Sequence, residues 1–87
     1  MFGYPYIQSY RPKIKPGEEL HELIIDLNDR PTDQNATGYM IDEAVKKANR
    51  LGKEKRKVLR VEYDTDKISA IVTVWFICEY NHLWGRY

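Results

Sequence analysis

The segment 68–80 constrains the fold more than any other, because bulky apolar residues occupy both of its alternating faces. In an extended conformation Val72, Val74 and Phe76 point one way, and Ile71, Trp75 and Ile77 point the other. A strand with bulk on both sides belongs between two layers. A single helix covers one face only. The second face is therefore expected to meet either the N-terminal arm or another subunit.

The helix that covers the first face is read at 37–51, where Ile41, Ala44, Val45, Ala48 and Leu51 form one apolar stripe at helical spacing. Asn35 or Thr37 is placed to cap its first amides, and Gly52 stands where a left-handed residue ends a helix. A hairpin follows. Its strands are read at 58–63 and 68–80, with Asp64-Thr65-Asp66-Lys67 as the turn. That turn would pair Tyr63 with Ile68, Val61 with Ala70 and Leu59 with Val72 on the helix-covered face, and put Arg60 and Glu62 on the other. Residues 18–28 fit a helical stripe through Leu20, Leu23, Ile24 and Leu27, and a strand through Leu23, Ile25 and Leu27. The acids after Pro16-Gly17 favour a helix start, but the short length and the Ile-Ile pair favour a strand at 21–28. Residues 1–16 hold Pro5, Pro12 and Pro16 and read as an arm or edge strand, with 6–10 the one stretch suited to pairing. The sum is an α+β domain over 1–87: one amphipathic helix on a three- to four-stranded antiparallel sheet with a C-terminal hairpin.

A strand over 68–80 would reach roughly 43 Å at about 3.3 Å per residue, well beyond its hairpin partner. Residues 75–80 would then leave a bare sheet edge, which folded proteins avoid. The expectation is a homodimer, with Ile71, Trp75 and Ile77 of the second face and Trp84, Arg86 and Tyr87 of the aromatic tail as interface residues.

Charge is balanced overall and segregated along the chain. The net charge is +1, yet residues 17–43 sum to −7 and residues 46–60 to +7. Such a layout suits acid–base contact between copies. It also suits a phosphate-binding patch made of Arg50, Lys53, Lys55, Arg56, Lys57 and Arg60. Lys46 and Lys47 have acid partners at Asp42 and Glu43, and Arg50 and Lys53 complement the negative helix end, so Lys55, Arg56, Lys57 and Arg60 carry that alternative.

Catalytic and ligand signatures fail one by one. Cys78 is the sole thiol, placed mid-strand with Val74 and Phe76, as a buried cysteine would be. His21-Glu22 opens like a zinc-protease motif, but Ile25 stands where the second histidine belongs. Asp26, Asn28 and Arg30 start like a calcium loop and fail at Arg30 and Pro31. Asp64 and Asp66 suit a turn, and the five glycines are too scattered for a phosphate loop. No catalytic residue, metal site or cofactor is expected.

No apolar run reaches the ~20 residues of a membrane span. The first six residues have neither a basic start nor an apolar core, so no signal peptide and a cytoplasmic location are expected. Eight Ile, eight Lys and seven Tyr against four Ala is the usage of an AT-rich genome, which suggests a phage or virus source. The expected function is a non-catalytic protein–protein interaction module, an inhibitor or adaptor that self-associates; the alternative is nucleic-acid binding through 46–60.

Overall fold

The computed structural model describes residues 10–80. Strand β1 (Glu18–Asp26) leads through a short 3-10 turn to helix α1 (Ala36–Lys53), then to β2 (Arg56–Asp66) and β3 (Ile71–Tyr80). The sheet is three-stranded and antiparallel in the order β1-β3-β2, with α1 on one face. This is the α+β architecture read from the sequence. Residues 18–26 are a strand, and residues 6–9 of the suggested N-terminal strand lie outside the described residues.

Pro16-Gly17 marks a chain reversal rather than a helix start. The Glu18 amide donates to the Lys15 carbonyl at 3.0 Å, and Gly17 has φ +87°. Proline then glycine with positive φ is the chemistry of a type II turn. The reversal sets the arm, residues 10–15, against the sheet face opposite the helix.

The hairpin turn falls at 67–70 rather than at 64–67. Asp66 decides this: its Oδ1 accepts the Ile68 and Ser69 amides at 3.0 and 3.3 Å, and Ala70 takes a left-handed φ of 57°. Asp66 then pairs with Ile71, Tyr63 with Val74 and Val61 with Phe76. Moving the turn lengthens β2 to 11 residues and trims β3 to 10, so β3 does not outrun its partner. With β1 on its other side, β3 is the central strand and has no bare edge. The geometric case for a dimer through β3 falls with it. Ile68 sits at the exposed tip, and Leu59 occupies an irregularity between Val58 and Arg60.

The core beneath α1 consists of Ile25, Leu51, Val72, Val74, Phe76 and Cys78, with Leu23, Leu27, Tyr39, Met40, Ala44, Ala48 and Val58 packed around it. Asn35 caps α1, accepting the Gly38 amide at 2.7 Å. The helix runs through Gly52 to Lys53, and the left-handed residue is Lys55, φ 69°. The helix seats on its small residues, Ala44 and Ala48. Val45 lies about 100–140° round from Met40, Ala44 and Leu51 at 100° per residue, so it does not reach the core. Ile41 and Val45 are 55% and 52% exposed, against the expectation that the whole stripe packs on the sheet.

Candidate docking groove

Two surfaces of the sheet have different fates. Over β3 the face opposite the helix is closed by the chain itself, whereas Ile24, on the same face of β1, is 56% exposed. Trp75 and Ile77 are 0% exposed and Thr73 is 1% exposed. The Trp75 indole donates to Glu22 Oε2 at 2.9 Å, and Tyr10 meets the same ring edge-on with centroids 5.5 Å apart. The Tyr10 hydroxyl donates to Glu62, Arg11 lies 3.7 Å from Glu22, and Arg60 donates to the Lys13 carbonyl at 2.9 Å. Pro12 is buried in the same layer. The arm is thus held at several points along its length.

This burial corrects the assignment of Trp75 and Ile77 to an interface, because neither has surface left for a second chain. Ile71 is half-buried at the start of β3. Trp84, Arg86 and Tyr87 lie outside the described residues.

The basic segment does not form one patch. Arg56 shares the helix face of β2 with Val58 and donates to Glu19 Oε1 at 3.0 Å. The irregularity at Leu59 reverses the alternation, so Arg60 emerges on the opposite face and donates to Glu18 Oε2 at 3.3 Å. Acid segment and basic segment therefore meet at these two points within one chain. Hydrogen bonds lower both glutamate pKa values: the Lys15 amide and then Arg60 act on Glu18, and His21 and then Arg56 act on Glu19. Arg50, Lys53, Lys55 and Lys57 are exposed.

Cys78 is buried beside the Glu19–Arg56 pair. Burial, then the negative charge of Glu19, pushes its thiol pKa up, which disfavours the thiolate that a nucleophile needs. Among the described residues, no group of three or more His, Cys, Asp or Glu side chains is placed to hold a metal ion, and no helix is long and apolar enough to cross a membrane.

The helix-side face is only partly covered. Between α1 and β2 lies an open apolar groove of about 260 Å³, lined by Met40, Ile41, Ala44, Val61, Tyr63, Val72 and Val74. Of these, Val61 and Tyr63 are 50% and 67% exposed on the strand side, and Ile41 is 55% exposed on the helix side. The cause is the same seating of the helix: Ala44 and Ala48 bring α1 close to the sheet, and the larger flank overhangs β2. Alternation in 58–63 made Val61 and Tyr63 look like core residues. Their only warning in the sequence is that a short helix with two alanines on its inner face cannot bury every apolar side chain opposite it.

Comparison with family models, with curated proteins and with solved structures finds no match for this chain.

Proposed function

We propose that the chain is a non-catalytic protein–protein interaction module, of the small inhibitor or adaptor kind, that docks through the α1–β2 groove. One observation carries the reading: Ile41, Val61 and Tyr63, each at least half exposed, line an open apolar groove. Contiguous apolar surface of this sort marks interaction sites, whereas scattered single residues do not. The test is affinity capture from a lysate of the source cells, comparing the wild type with Ile41→Asp. A protein retained by the first and lost with the second supports the reading; equal capture by both, in a chain that also stays monomeric, overturns it.

A second reading rests on the exposed bases Arg50, Lys53, Lys55 and Lys57 around the helix C-terminus, which could grip phosphates. It requires salt-dependent retention on heparin that is lost when Lys53, Lys55 and Lys57 are changed to Glu. A gel shift with RNA or DNA that fails at low salt removes it.

A further inference from the structure

We propose that the occupant of this docking surface is a second copy of the chain, joined by antiparallel pairing of the two β2 edges about a two-fold axis at Val61. The inference rests on the reading of the groove as a docking surface and names its partner. Strand β2 is an edge strand in the order β1-β3-β2, and it is the longest strand, with 11 residues. Its outer backbone groups face no other strand among the described residues. Leu59, Val61 and Tyr63 are exposed along it. Such an edge is a template for strand addition unless charge, proline or a cover blocks it.

The charge pattern of β2 is self-complementary. Its first half carries Arg56, Lys57 and Arg60, and its second half carries Glu62, Asp64 and Asp66. Running antiparallel, the basic half of one copy lies along the acidic half of the other as segments, while residue-by-residue opposition is confined to the stretch around Val61, because the irregularity at Leu59 breaks the alternation beyond it. The pattern also selects a register. Side chains directly opposite across an antiparallel pair share a face, and like charges placed opposite each other destabilise it. With Val61 on the axis, Arg60 stands opposite Glu62 of the second copy, and Val61 meets Val61. Moving the axis by one residue, to position 60 or 62, places Arg60 opposite Arg60 or Glu62 opposite Glu62. The other edge offers no such match: β1 carries Glu18, Glu19, Glu22 and Asp26 with no lysine or arginine, so pairing it with itself sets acid strand against acid strand.

A two-fold axis normal to the sheet keeps both helices on one face. The sheet becomes six-stranded, and the Ile41–Val45 flank of each helix turns toward its counterpart over the joined Val61 and Tyr63 rows. The exposed apolar groove is then the surface that dimerisation covers, and the charges that would guard the edge against other strands are the ones that match a second copy.

Sedimentation equilibrium at micromolar concentration should give twice the 10.4 kDa chain mass. Val61→Lys, at a half-exposed position, should give a monomer with unchanged far-UV circular dichroism. Val61→Cys tests the register without weakening the fold. Paired strand residues have Cα atoms about 4.5–5.5 Å apart, within disulfide reach, so mild oxidation should cross-link the dimer. Thr65→Cys should not cross-link, because its two copies would lie about 27 Å apart along the strands. A wild-type monomer overturns the proposal, as does a dimer that survives Val61→Lys and leaves Val61→Cys uncross-linked. A monomer that dimerises only after removal of residues 1–9 also overturns it for the intact chain. A monomer that still captures another protein through Ile41 refutes the second copy and leaves the interaction reading standing; a monomer without groove-dependent capture refutes both.

Discussion

The indole nitrogen of Trp75 donates to Glu22 Oε2 at 2.9 Å from the neighbouring strand, so a wholly buried ring has its one polar atom satisfied by a carboxylate at the sheet surface. The pair links β1 to β3 beneath the arm, and Arg11 and Tyr10 close over it from the same side. Glu22→Ala leaves the indole donor unpaired and should cost about 1–3 kcal/mol. Glu22→Gln retains an acceptor and should cost less. Urea denaturation of both variants checks the order; equal losses would mean that the contact with Arg11, rather than the indole bond, sets the effect.

Val45 looks like a core residue in the sequence and is half-exposed in the structure. Val45→Asp should therefore fold, and as a single chain, at concentrations too low for association, should lie within about 0.5 kcal/mol of wild type. Leu51→Ala, at a position 1% exposed, should cost about 2–5 kcal/mol. Thermal melting of the two variants separates them, and a Val45→Asp protein that fails to fold would refute the observed seating of α1.

The arm should come loose at both extremes of pH. Hydrogen bonding lowers the pKa of Glu18 in the folded state, from the Lys15 amide first and Arg60 second. A lowered carboxyl contributes stability above its unfolded value of about 4.3, and that contribution is lost as pH falls below it. The bond to Glu62, then burial and the charge of that carboxylate, raise the Tyr10 pKa. A raised phenol contributes below its unfolded value of about 10, and loses the contribution as pH rises through the folded one. Trp75 fluorescence, read in a Trp84→Phe background, should stay flat between these limits and change beyond each. A signal unchanged on acidification well below the glutamate range would exclude the Glu18 link.

Lys55 holds a left-handed backbone that costs an L-residue energy and glycine none. Lys55→Gly should raise stability by about 0.5–1 kcal/mol without altering the groove. Loss of stability in a denaturant titration would show that the lysine side chain contributes more than its strain costs.

The sequence by itself determined the helix and the hairpin after it, because each depends on local periodicity, while residues 18–28 fitted helix and strand alike and only the pairing with β3 decided for a strand. The helical stripe through Ala44, Ala48 and Leu51, the cap at Asn35 and the nearly continuous apolar run of 71–78 each act within one segment. It also determined that β3 must be sandwiched, since residues with bulk on both faces have no other stable place. Only the tertiary structure decided three further things. Asp64 and Asp66 are equally good turn formers, and the structure places the turn after Asp66; pairing of β1 along the other side of β3 made β3 central. The irregularity at Leu59 sent Arg56 and Arg60 to opposite faces and divided a basic run that looks continuous along the chain. The seating of α1 on its alanines left Ile41, Val45, Val61 and Tyr63 at the surface, because periodicity tells which residues share a face but not how much of that face the opposing layer is wide enough to cover.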